Sequence, residues 1–560
     1  MRVAVIGGGP SGLVTLKYLL TAHQFQQVEP IEARLYEAES CIGGTFRYRD
    51  YEDAELVSSK YLTAFSDFRC LPDDEDFMST ARYCEYLEAY STQFDLWPHI
   101  SLSAKVIAVS RYKKEHVIRY SKSGVEENWY CDAIAVCSGL HVEPNIPNVQ
   151  GIGHISKVLH SSQFKSRSDF GTDKNVLILG CGETAHDLAY LAVTSPTKSI
   201  TMCHRNGFLY GPKVVPVPIK FGLIDASTEA QVNVPTDTTV ASLFDTAYVH
   251  PILRRSSLLW DYYDLFIKNM FFLISGTSAG CDQFVGGKEP QQSHVSSIFI
   301  MKSGKAIPYI SAPYRPHSFL DRIRASILNV PRPPTGHRTV DLAPWPSHFS
   351  PDGRVHFTNT TRPESERILN RAIKPDIVVF ATGYKQSFPF LSSTSYTSPS
   401  SASIRGIFEK SDPSVAFIGF VRPSLGAIPP LSELQAQFWI LHLLHALPPP
   451  SLFPAAESEI PYLLQRTPSH KIFKPHGVDH ESYAYQLAVD MGSAPTFRQV
   501  CGEGWKVAFT WAMGPNFNTK FRLVGPWRWG GARDVMRKEL WDVVKRSGGV
   551  FCELVSFRSG

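Results

Sequence analysis

Two short segments carry residue types at a spacing that can hold phosphate: "GGGPSG" from Gly7 to Gly12 and "GCGETA" from Gly180 to Ala185. In each, an apolar run leads into glycines at the first and third positions, and a pattern of helical period follows. Gly7 permits a tight turn, Gly9 lets the backbone approach a pyrophosphate, and Gly12 lets helix pack closely on strand. Gly8 lies inside the loop, while Pro10 and Ser11 open a helix whose N-terminus faces the negative charge. In the second loop Gly180 and Gly182 take the same places and Glu183 and Thr184 open the helix. Ala185 stands for the third glycine and is still small enough for helix–strand packing.

The residue that ends the next strand separates the two loops. Glu37 lies 25 residues after Gly12, where a carboxylate accepts hydrogen bonds from a ribose hydroxyl. Glu39 is a competing acid but lies past the strand end. At the matching place after the second loop stand His204 and Arg205. A carboxylate would repel a 2′-phosphate, whereas a guanidinium binds it through two parallel hydrogen bonds. A charge-assisted bond contributes about 1.5–3 kcal/mol, or roughly ten- to a hundred-fold in preference. The pattern therefore assigns FAD to the first loop and NADPH to the second. The competing readings are a ligand-free glycine turn for the first and a strand-capping role for Arg205. "GGTF" follows Glu37 closely and adds Gly44, Thr45 and Phe46 as contacts beside the cofactor.

These loops need α/β units to position them. The expected fold is two Rossmann-like dinucleotide-binding domains, with the FAD domain discontinuous. Residues 1–150 form its first part and 371–447 its second. Residues 151–370 form the NADPH domain, with a partly helical insertion at about 209–340, and 448–560 form a C-terminal extension. The 560 residues carry 43% hydrophobic and 19% charged residues and a formal charge of only +4, which gives no footing for a nucleic-acid partner. The first strand starts almost at Met1, leaving no room for a cleaved signal. The most apolar stretch, "LLWDYYDLFIKNMFFLISG", carries Asp261, Asp264 and Lys268, against a transmembrane span. Trp260, Tyr262, Tyr263 and Phe266 in it are candidates for a substrate channel, though core packing is the plainer reading. His470, His476 and His480 lack metal-site spacing. The ten cysteines include no C-x-x-C pair, so reduced thiols and a cytoplasmic location are expected.

In order and spacing, "VIGGGPSGL", "YEAESCIGGTF", "SSKYLTAFSDF", "GCGETAHD", "FATGY" and "FIGFVRP" followed by "SELQAQF" resemble the flavin-containing monooxygenase family, across most of residues 1–445. The resemblance implies that NADPH reduces FAD and that oxygen then adds to give a C4a-hydroperoxyflavin. Retained NADP⁺ helps to exclude water. The partners it implies are molecular oxygen and a small organic substrate, either a soft nitrogen or sulfur nucleophile or, by Baeyer–Villiger chemistry, a ketone. Gln435, on the family's E-x-Q-A-R helix, joins the cofactor set. The fingerprint F-x-G-x-x-x-H-x-x-x-Y/F is only partly present, with His160 and Phe164 matching and His154 and Ser156 departing. Where mammalian-type members place asparagine before "SSK", this chain has Val57, which cannot hydrogen-bond; Ser58 and Ser59 are the catalytic candidates in its place. Two rivals remain. A disulfide reductase would need a cysteine pair beside the flavin, and Phe46 follows Thr45 instead. A degenerate nucleotide-binding redox sensor would fit Val57 but not the intact loops.

Overall fold

The computed structural model describes residues 1–214 (except 206, 209 and 212), 235–238, 275, 304–323 (except 316, 317 and 321), 334–447 (except 361, 362, 393, 424 and 425), 460, 462–463, 477–513 and 518–547. The aromatic stretch around Trp260, Tyr262, Tyr263 and Phe266, most of the insertion, and His470 and His476 lie outside them.

Two sheets carry the two loops. The first runs, edge to edge, Phe408–Glu409, Asp412–Phe417, Ala133–Val136, Arg2–Ile6, Glu32–Tyr36, Ile100–Ser101. All neighbours are parallel except the Phe408–Glu409 edge. Successive side chains of a strand face opposite ways. Val3 and Val5 accordingly enter one core with helices Pro10–Phe25 and Ile428–Leu443, whereas Ala4 and Ile6 face an antiparallel sheet of Ala104–Tyr112, Glu115–Lys122 and Val125–Cys131. The second sheet is wholly parallel, in the order Val340–Pro344, Ser199–His204, Asn175–Leu179, Ile377–Phe380, Lys157–His160. Val176 and Ile178 face helix Glu183–Val193, and Leu177 and Leu179 face the opposite layer.

Strand pairing moves one expected boundary. Ile377–Phe380 falls in the segment assigned to the returning FAD half, yet it pairs with Asn175–Leu179 in the second sheet. Its apolar run is buried on both faces, and a buried parallel run does not announce its sheet. The chain crosses between the halves on two short strands, Glu143–Pro144 and Tyr384–Lys385, paired antiparallel. The C-terminal residues are no appendage. Helices His480–Asp490, Trp505–Met513 and Ala532–Ser547 place Leu487, Trp511 and Met536 in the same core as Val3 and Val5, and Trp527, in the turn before the last of them, joins them there.

Two buried histidines tie this fold to pH. His116 hydrogen-bonds Tyr396 Oη and Ser414 Oγ, each at 3.0 Å, and burial pushes its pKa down to about 4. Burial does the same to His186, whose Nδ1 faces the Gly182 carbonyl at 3.1 Å. A depressed folded-state value favours the neutral ring. The stabilisation is complete above the unfolded value near 6.5 and is lost as pH falls toward 4, about 3 kcal/mol for each group. Thermal midpoints should therefore drop steeply between pH 6.5 and 4, and His116→Gln should flatten that slope. An identical slope in the variant would exclude His116 as a contributor.

Candidate functional site

The first loop is built by close approach. Gly7 has φ of +113°, and a Cβ there would lie 2.6 Å from the Cys137 carbonyl oxygen. A Cβ on Gly12 would lie 1.9 Å from the Gly7 carbonyl oxygen. Gly9 is the N-cap of helix Pro10–Phe25 and supplies no side-chain cap, so the first turn leaves N–H donors for an anion. A Cβ at Gly9 would meet only the Gly44 Cα, at 3.8 Å. The backbone at Gly9 is therefore open to close approach by a ligand. Gly43 N–H donates to the Gly8 carbonyl at 3.0 Å, laying the second glycine pair across the first loop. Thr45 and Phe46 begin a one-turn helix capped by Gly44, with Phe46 edge-on to Tyr83 at 4.7 Å.

Glu37 is buried at the rim. Its Oε2 accepts from Gly8 N–H at 2.6 Å and its Oε1 from Glu39 N–H at 2.9 Å. Burial raises its pKa, with those two backbone donors pulling the other way. Each oxygen keeps a lone pair for a ribose hydroxyl. Gln435 is fully buried, and both ends of its amide are engaged: Oε1 accepts from Gly419 N–H and Nε2 donates to Tyr483 Oη, each at 2.9 Å. Gly419 has φ of +87°, and a Cβ there would lie 2.3 Å from Ser11 Oγ. Gln435 thus reaches the helix N-terminus through Gly419.

The second loop repeats the plan with a different rim. Gly180 has φ of +129° and would clash with the Ala381 carbonyl, a Cβ lying 2.3 Å away, while nothing lies within 4 Å of a Cβ at Gly182. Gly182 caps helix Glu183–Val193 without a side-chain bond. Glu183 and Thr184 are half-buried at its first turn and Ala185 is fully buried. In front of the loop is a cleft of about 350 Å³, lined by Asn145, Gly180, Cys181, His204, Arg205 and Trp345 among others. The Arg205 guanidinium lies 4.4 Å from the centroid of the Trp345 ring. His204 is buried, its Nδ1 accepting from Gly207 N–H at 2.9 Å, so Arg205 is the exposed member of that pair. Sequence reasoning missed Trp345. Its signal was the position directly after a parallel strand, at the carboxyl edge where such sheets bind ligands.

Val57 is 37% exposed, while Ser58 and Ser59 are buried. Ser59 N–H donates to Asp237 Oδ2 at 2.8 Å, and Ser59 Oγ has no hydrogen-bond partner among the described residues. Lys60 Nζ donates to the carbonyls of Leu71 at 3.3 Å and Pro72 at 2.7 Å, which fixes the turn. Asp237 was invisible to sequence reasoning because it sits in the insertion, 178 residues from Ser59. His160 Nε2 faces the Gly383 carbonyl at 3.0 Å and its ring meets Tyr384 edge-on at 5.0 Å, joining the partial fingerprint to "FATGY". Segment 48–55 docks across the halves, with Tyr51 Oη donating to Asp187 Oδ2 at 2.6 Å. Among the described residues no group of three His, Cys, Asp or Glu could hold a metal. No helix of the described residues is long and apolar enough to cross a membrane.

The family model described as "Flavin-binding monooxygenase-like" matches residues 1–211 and 360–546, which takes in both loops, "FATGY" and the C-terminal helices. The chain belongs to that family. The monooxygenase is 50% identical over 564 residues to Monooxygenase cfoE of Aspergillus candidus, spanning 99% of this chain and 95% of that one. It is 49% identical to Monooxygenase ptmN of Penicillium ochrochloron, spanning 97% and 90%. Its fold matches Tmm from Pelagibacter with a TM-score of 0.52 at 13% identity, covering 97% and 90% of the two chains. The OTEMO complex with FAD and NADP matches with a TM-score of 0.50 at 15% identity, covering 79% and 83%. The monooxygenase is a flavoprotein oxidoreductase that uses FAD and NADPH.

Proposed function

We propose that this monooxygenase transfers one oxygen atom from O₂ to a nitrogen or sulfur centre of a small organic substrate, in secondary metabolism and in the cytoplasm. The observation that carries the cofactor arrangement is the contrast of rims, a buried carboxylate at Glu37 and an exposed guanidinium at Arg205 stacked on Trp345. Support for heteroatom chemistry comes from the similarity, 25% over 566 residues, to a chimpanzee protein named Dimethylaniline monooxygenase [N-oxide-forming] 2.

Bound FAD, reduced by NADPH, supplies the oxygen-activating chemistry. The protein's own residues hold and shield it. The uncapped N-terminus at Gly9 binds the pyrophosphate and Glu37 the ribose. Arg205 binds the 2′-phosphate, and the Gly182 turn binds the second pyrophosphate. Ser58 and Ser59 supply hydroxyls at the place where Val57 has none. Gln435 serves through Gly419 rather than by touching the cofactor. Product mass analysis tests the reaction: a gain of one oxygen on nitrogen or sulfur is expected, and a lactone or ester would move the assignment to Baeyer–Villiger oxidation. For the hydroxyls, Ser58→Ala and Ser59→Ala should divert about five-fold more NADPH oxidation into hydrogen peroxide, since one hydrogen bond is worth about 1 kcal/mol. Unchanged coupling in both variants would remove the two serines from the site.

A further inference from the structure

The C-terminal segment reaches the FAD half through a buried ionic cluster. Arg522 is fully buried. Its Nη1 donates to Tyr18 Oη, to Ser66 Oγ at 2.8 Å and to Asp67 Oδ2 at 3.0 Å, and its Nε donates to the Trp527 carbonyl. Glu433 closes the cluster, accepting from Tyr18 Oη at 2.7 Å, Ser66 N–H at 2.9 Å and Ser66 Oγ at 2.6 Å. Asn518 adds bonds to the Pro430 carbonyl and, at 3.4 Å, to Glu433 Oε2. Lys17 pairs with Asp67 at 2.7 Å. Two cations and two carboxylates therefore balance inside the core, where an unmatched charge is costly. Against the cost of burial, Lys17 and Arg522 hold the Asp67 carboxyl below its ordinary pKa.

The cluster's members lie on the two helices that shape the first loop. Lys17 and Tyr18 belong to Pro10–Phe25, whose N-terminus is the phosphate cradle. Glu433 belongs to Ile428–Leu443, one residue after Ser432 and two before Gln435. Ser432 Oγ lies 2.8 Å from Ser11 Oγ, and Gln435 holds Gly419 against Ser11. A sideways shift between these helices would open the wall of the cradle. The groups resisting that shift arrive from 504 residues further along the chain, at Arg522.

We propose that Arg522 is a positioning residue for FAD: it locks helix Pro10–Phe25 to helix Ile428–Leu443 and thereby fixes Gly419 and Ser11 at the flavin phosphate cradle. This rests on the first loop being the FAD site. Arg522→Met removes one cation from a balanced buried set, and coupling between distant sites is typically worth a five- to 150-fold change in affinity.

The test uses the full-length holoprotein, with FAD release and its dissociation constant read from flavin fluorescence. Arg522→Met should weaken FAD binding about 10- to 100-fold, and Arg522→Lys should recover most of it by keeping the charge. Leu540 is buried on helix Ala532–Ser547 and is not a member of the ionic set, so Leu540→Ala should lower the thermal midpoint without changing FAD affinity. Equal FAD affinity in wild type and Arg522→Met, or equal weakening in Arg522→Met and Leu540→Ala, would overturn the proposal. Should Arg522→Met not fold, Asn518→Ala reports on the same lock. Weaker FAD binding than in Leu540→Ala supports the proposal, and no difference overturns it. Failure of the underlying assignment is distinguishable, since Gly12→Ala would then leave FAD binding intact.

Discussion

Gly12→Ala should yield a protein that purifies largely without flavin. The added methyl would lie 1.9 Å from the Gly7 carbonyl oxygen and 3.4 Å from Leu35 Cδ1. Gly7 cannot yield, because its own φ of +113° and its approach to the Cys137 carbonyl fix that peptide. The helix must move outward, carrying the N–H groups of its first turn away from the phosphate. Overpacking of this kind costs about 1–3 kcal/mol, enough to weaken FAD binding roughly ten- to a hundred-fold. The flavin-to-protein absorbance ratio of the purified variant checks this directly. A yellow Gly12→Ala protein with wild-type FAD affinity would show that the first loop does not hold the flavin. The second loop bears a fully buried alanine at the matching place, Ala185, so the same chemical change is native in one unit and disruptive in the other.

Replacing Arg205 with alanine should separate the two nicotinamide nucleotides. Loss of a charge-assisted hydrogen bond costs about 1.5–3 kcal/mol, so kcat/KM for NADPH should fall about ten- to a hundred-fold. With NADH the change should stay within about two-fold, because no 2′-phosphate is present to lose its partner. Trp345 supports the guanidinium from one side, a contact worth about 0.5–2 kcal/mol. Trp345→Ala should therefore lower NADPH efficiency by a smaller factor in the same direction. Equal losses with both nucleotides in Arg205→Ala would take 2′-phosphate recognition away from this residue.

Much of the site was legible because its chemistry is local. A tight turn, a helix start and a rim residue all fall within about 30 residues, so "GGGPSG" with Glu37 and "GCGETA" with Arg205 could be read as units. The 2-residue alternation that sends Val3 and Val5 one way and Ala4 and Ile6 the other is equally local. Asp237, Trp345 and Arg522 were not legible, since each acts on a partner distant in sequence. Ser59 meets Asp237 across the insertion, and Tyr18 meets Arg522 across nearly the whole chain.

By itself the sequence determined that there are two glycine loops at dinucleotide-binding spacing and which rim carries the acid and which the arginine. Those properties rest on residue type at fixed short spacing. The tertiary structure decided that Ile377–Phe380 joins the second sheet, that Gln435 accepts a hydrogen bond from Gly419, and that the C-terminal helices share a core with the first sheet. Burial and hydrogen bonding between remote segments settle such questions, and no local pattern encodes which buried partner a side chain will find once the chain has closed on itself.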